Sequence, residues 1–108
     1  MTLVGGKYGN KKTVIDGIPF SSKAEARRYE ELKLMQKAKV ITDLELQPRY
    51  DIIVNDHKCG FYKADFRYTD RETGKVVVED VKGVKTAVYC LKKRLVKAIY
   101  GFDVVEIK

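Results

Sequence analysis

A chain of 108 residues can bury one core but not two, and 44% hydrophobic with 34% charged residues is a globular mix, not a disordered one. The 22 Lys and Arg against 15 Asp and Glu leave a formal charge of +7, which favours an anionic partner, nucleic acid foremost. His57 is the only histidine, which excludes HExxH zinc chemistry and phosphodiester cleavage by paired imidazoles.

No apolar run is long enough to span a membrane, and no secretory leader pattern opens the chain. Cys59 and Cys90 lack CxxC spacing, so reduced thiols in a cytosol are expected. Neither GxxxxGK[ST] nor GxGxxG occurs. The whole chain is therefore read as one domain, 1–108.

Residues 1–12 are glycine-rich and basic and read as a flexible arm, in which Lys7, Lys11 and Lys12 could track a phosphate backbone. Asp16-Gly17 is a turn signal between short apolar pieces, a small hairpin ahead of the main fold. The stretch 21–40 reads as a helix. Ser22 followed by Glu25 is a capping-box start, and Ala26, Tyr29, Leu32 and Met35 form an inward stripe.

Strands are expected at 48–54, 60–69 and 75–81, the last two joined by the hairpin-length "DRETG". Thr86 caps a second helix over about 87–100, with Val88, Leu91, Leu95 and Ala98 inward and Gly101 as its stop. "DVVEI" closes as a strand that reaches the sheet through a helical crossover, free to pair in parallel. The class is α/β: helix, three strands, helix, strand, with a mixed central sheet flanked by helices.

Side chains alternate along a strand, so parity sorts the charges. Asp80 and Lys82 share one face of the third strand, while Glu79 lies on the other with Val77 and Val81. In 60–69, Tyr62, Ala64, Phe66 and Tyr68 form an apolar face opposite Lys63, Asp65 and Arg67. Core packing suits those aromatics better than base stacking. Antiparallel pairing then brings Asp65 beside Asp80, with Lys82 close by. Two readings fit: a surface ion pair on Lys82, or two carboxylates bridged by a hard divalent ion such as Mg²⁺.

"KADF" and, fourteen residues on from Asp65, "EDVKG" resemble the PD-(D/E)xK nuclease superfamily, with Ala64 in place of the eponymous proline. The resemblance implies a restriction-endonuclease-like core in which Asp65 and Asp80 hold Mg²⁺ (or Mn²⁺ in its place). By the same resemblance Val81 lends its backbone carbonyl, and Lys82 positions or polarises the attacking water. Members often add an acid from the first helix, here Glu25, which could equally serve only as a capping-box residue bonded to the Ser22 amide.

"DGIPFSSKAEARRYEEL", "LQPRYDI", "ADFRY" and "VVEDVKG" are together similar to a family of small phage proteins related to the endonuclease I type of Holliday-junction resolvases. The function this implies is a Mg²⁺-dependent DNA endonuclease acting on branched DNA in the cytoplasm of a bacterial host, as a two-fold dimer. Lys85, Lys92 and Lys93, after the motif strand, would flank the scissile phosphate or form a solvated helix face. The alternatives are a nicking or end-processing nuclease without junction preference, and a non-cleaving DNA-binding module on the same fold.

Overall fold

The computed structural model describes residues 13–108; Lys7, Lys11 and Lys12 lie outside the described residues. The described residues begin with a hairpin, β1 (Thr13–Ile15) and β2 (Ile18–Phe20), turning through Asp16 and Gly17 at φ 55° and 76°. Positive φ at both central positions is the turn geometry that suits Asp-Gly. Tyr29 Oη (3.0 Å) and Lys33 donate to the Asp16 carboxylate, tying the turn to the first helix.

That helix, α1, spans Lys23–Lys37 and starts as expected, with Ser22 Oγ accepting from the Glu25 amide at 3.1 Å. The return bond differs. Glu25 Oε1 accepts from Ser21 N (3.1 Å) and Ser21 Oγ (3.2 Å), one residue earlier than the capping-box pattern puts it. The inward stripe is as read: Ala26, Tyr29 and Leu32 are buried and Met35 half-buried.

After α1 come β3 (Ile41–Leu46), β4 (Arg49–Val54), β5 (His57–Lys63), β6 (Phe66–Asp70), β7 (Val76–Val81), α2 (Ala87–Tyr100) and β8 (Val104–Ile107). The main sheet is mixed, in the order β3-β6-β7-β8, with only β7 and β8 parallel. The terminal strand pairs in parallel as its crossover allowed. Among the described residues the fold is mixed α/β, with two helices and a mixed multi-strand sheet.

Two expectations about the strands need correcting. Strand β3 is additional, so five strands rather than three separate the helices. The stretch 60–69 is two strands, because the chain bends at Ala64–Asp65; β5 pairs with β4 in a separate hairpin and β6 enters the main sheet. The supposed single aromatic face divides accordingly. Phe66 and Tyr68 join the core under α1, whereas Tyr62 and Ala64 join a second core with Val78, Val104, Ile52 and, from α2, Tyr89 and Val96. All four are buried, so core packing was the right reading of the aromatics.

Helix α2 is capped by Thr86 (Oγ1 accepts from Tyr89 N, 3.1 Å) and stopped by Gly101 at φ 83°, as its sequence predicts. Its inward side is not. Tyr89 and Val96 are buried and Leu95 half-buried, while Val88 and Leu91 are 62% and 54% exposed and Ala98 is exposed. Tyr89 displaces the aliphatic stripe because its ring packs towards Tyr62 (centroids 6.3 Å apart) and its hydroxyl reaches Glu106 at 2.8 Å.

Glu79 lies opposite Asp80, as parity requires, and is 1% exposed. Arg28 Nε and Nη2 donate to its two oxygens at 2.8 and 2.6 Å, and Tyr68 Oη donates as well. This paired carboxylate stitches α1 to the sheet. The charged end of β7 thus sends one acid into each layer.

Candidate active site

Strands β6 and β7 pair Phe66 with Glu79, and Asp65 N continues the ladder by donating to Glu79 O at 3.0 Å. One step further, Asp65 falls opposite Asp80. Its Oδ2 accepts from the Val81 amide at 2.7 Å, so the bend at Ala64–Asp65 is held by side chain and backbone together. Ala64 N donates to Pro48 O at 3.0 Å in a buried position. A proline at 64 would lose that bond and crowd the core, which accounts physically for alanine there.

Three carboxylates meet at this corner. Asp65 is half-buried; Glu25 and Asp80 are 6% and 2% exposed. Burial first, then a hydrogen bond shared with Glu25 and the charge of Asp80, push the Asp65 carboxyl up to about 9; the Val81 amide opposes them. Glu25, Asp65 and Gln47 line one small cavity, with Phe20 and Leu46 as its apolar wall. Gln47, the residue before Pro48, has no motif signal; its backbone amide bond to Asp65 O (2.9 Å) brings it there.

Asp80 faces the other core. Tyr62 Oη donates to its Oδ2, and Lys82 Nζ lies 3.1 Å from its Oδ1. Lys82 also sits over the Tyr89 ring, 4.5 Å from its centroid, a cation–π contact that restricts the ammonium. Burial and the bond to Asp80 raise the Tyr62 pKa, so its hydroxyl stays a donor. Tyr62 reads in the sequence as a core residue alone and Tyr89 carries no signal there; their polar tips become part of the site only when two strands and a helix converge.

The donor set of Glu25, Asp65, Asp80 and the Val81 carbonyl is all oxygen, three of the four being carboxyl groups, which fits a hard divalent cation. Among the described residues, no group of three or more His, Cys, Asp and Glu side chains is already arranged to hold a metal. Both Asp80 oxygens are engaged by Tyr62 and Lys82, so the close pair is Glu25 with Asp65. Glu30 and Glu31 are exposed, and Glu31 pairs with Arg28 at 3.0 Å, away from this corner.

Lys92 lies 5.4 Å from the centre of the Phe61 ring, on the Lys82 side of α2. Lys85 and Lys93 gather instead around Glu106, at 2.8 and 3.3 Å. With Arg94, Lys97 and Asp103 they line a concavity of about 510 Å³ against the end of β8, in which cations outnumber acids. Cys59 and Cys90 are free and exposed, and no helix among the described residues is long and apolar enough to cross a membrane.

No curated protein and no solved structure matches the chain. A family model does match, over residues 5–106, nearly the full length. The chain with this acidic corner belongs to the family described as protein of unknown function (DUF1064).

Proposed function

We propose that this protein is a metal-dependent DNA endonuclease of PD-(D/E)xK type, with a restriction-endonuclease-like core, cutting branched DNA in the cytoplasm of a bacterial host. The observation that carries the reading is the corner itself: Asp65 set against Glu25 and Asp80, with Lys82 held on Asp80. A surface ion pair would not require three acids, two of them nearly inaccessible. A carboxyl whose proton affinity is raised by burial and by a neighbouring acid, as at Asp65, is a recurrent feature of functional sites.

Glu25, Asp65, Asp80 and the Val81 carbonyl would hold Mg²⁺, or Mn²⁺ in its place. When bound, the ion supplies charge stabilisation to a phosphodiester and acidifies water. The chain's own groups have distinct tasks. Ser21 and the Val81 amide each fix one oxygen of Glu25 and Asp65, so neither carboxylate can swing away. Tyr62 fixes Asp80 from the core side. Lys82 Nζ can donate a hydrogen bond to the attacking water or to a phosphate oxygen, its position set by Asp80 and the Tyr89 ring. The basic residues of α2 would carry the flanking phosphates.

Branched DNA offers phosphates from several arms to one basic surface, and symmetric incision of a junction calls for a two-fold dimer. The direct test is nicking of supercoiled plasmid and cutting of a matched panel of linear, flapped and four-way DNA, each with Mg²⁺ and with EDTA. Mg²⁺-dependent nicking is expected, lowered about 100-fold or more in Lys82→Ala. Glu25→Gln should also lose activity while staying folded, since the amide can still accept from Ser21. No metal-dependent cleavage of any substrate, with binding intact, would turn the reading to a DNA-binding module.

A further inference from the structure

We infer that the face beside Lys82 holds an unpaired DNA nucleotide, with Phe61 as the stacking platform. This deepens the nuclease reading and rests on it. A cavity of about 270 Å³ is lined by Phe61, Tyr62, Lys63, Lys82, Val88 and Lys92. Tyr62 and Lys82, the residues that hold Asp80, are part of its lining, so an occupant would lie beside the Asp80 end of the acidic corner.

Its surface chemistry is unusual for a duplex-backbone contact. Phe61 is 39% exposed, Val88 is 62% exposed, and neither joins either core. Cations lie close to the Phe61 ring: Lys92 Nζ, which also lines the cavity, is 5.4 Å from its centroid, and the Arg49 guanidinium, outside the cavity lining, is 4.0 Å away. A duplex shows such a face mainly phosphates and sugars, for which lysines alone suffice. An extruded or single-stranded nucleotide also shows a π-face, which stacks on an exposed aromatic whatever the base, while its phosphates meet the surrounding ammonium groups. An aromatic ring among Lys63, Lys82, Lys92 and Arg49 matches that combination and not a neutral apolar ligand.

The neighbouring strand supports the assignment. Phe61 pairs with Asp51 in β5–β4, so its ring is presented from a hydrogen-bonded hairpin rather than from a loose loop. A stacking platform on a paired strand loses little freedom when it is used.

The test is fluorescence anisotropy with a labelled dT oligonucleotide and a blunt duplex of equal length, in Ca²⁺ and no Mg²⁺, comparing wild type, Phe61→Ala, Phe61→Leu and Phe61→Trp. Loss of one stacked base lowers affinity roughly 5- to 100-fold. Phe61→Ala and Phe61→Leu should lose that much on the single strand and clearly less on the duplex, and Phe61→Trp should restore binding. Should Phe61→Ala fail to fold, Phe61→Leu keeps the apolar volume without the π-face and decides alone. Equal losses on both DNAs, or none on either, would overturn the inference. Plasmid nicking by the wild type in Mg²⁺ separately reports whether the nuclease reading itself stands.

Discussion

The Asp65 carboxylate gives one oxygen to the Val81 amide and faces Glu25 and Asp80 in a half-buried corner, where several negative charges are costly without a cation. Asparagine keeps the bond to Val81 and needs no proton, whereas the Asp65 carboxyl, pushed up to about 9, must take one up on folding at pH 8. Asp65→Asn should therefore melt higher than wild type in EDTA at pH 8, and be inactive in Mg²⁺; a lower Tm in EDTA would mean that the corner is not strained by its acids. Glu106 is the opposite case. Lys85 first, then Tyr89 and Lys93, hold its carboxyl down to about 2. A lowered carboxyl stabilises the fold above its ordinary range, and that stabilisation disappears as the pH falls through about 2. The Tm gap between wild type and Glu106→Gln should be full above about pH 5 and close towards pH 2. A gap constant across that range would show that the three partners matter only for packing.

At the scale of elements, β7 does two jobs because its side chains alternate. Glu79 points to α1 and closes a bidentate pair with Arg28; Asp80 points to the α2 side and the candidate site. Glu79→Gln loses one charge-assisted bond to a guanidinium that is only 19% exposed, a cost of about 2 kcal/mol. In a domain of this size that lowers Tm by roughly 10 °C. Cleavage measured well below the melting range should survive, whereas Asp80→Asn should cleave poorly at any temperature. Calorimetry and plasmid nicking on the same two variants separate the strand's structural acid from its functional one.

For the whole molecule, the +7 charge is unevenly spread. Helix α2 carries Lys92, Lys93, Arg94 and Lys97 and no acid, and Lys82 and Lys85 precede it. Within the described residues, a helix with four cations and no acid is suited to neutralising phosphates. Neutralisation releases counterions, so affinity for DNA should fall steeply with salt, by tens- to a thousandfold between about 50 and 200 mM. Lys92→Ala should make the slope of log affinity against log salt shallower by about one contact's worth. A flat salt response would detach the net charge from nucleic acid altogether.

Local chemistry made much of this protein legible in the sequence. Ser22, Thr86, Gly101 and Asp16-Gly17 act through their own backbone neighbours, so the helix starts, the helix stop and the first turn follow from residue type and spacing alone. Strand alternation likewise placed Asp80 apart from Glu79 and opposite Asp65. Strand β3 was hidden because Asp43, at φ 58°, sits where the register with β6 shifts, which brings Ile41, Leu44 and Leu46 onto the α1 side despite their mixed parity. The bend at Ala64–Asp65 was hidden because the bonds that make it come from Pro48, Glu79 and Val81, residues far along the chain. The inward side of α2 was decided by Tyr89, whose hydroxyl partner Glu106 belongs to a strand formed after the helix. Period and caps are properties of a segment; which apolar side is covered, and where Tyr62, Tyr89 and Gln47 meet the acids, depends on what other segments bring to it.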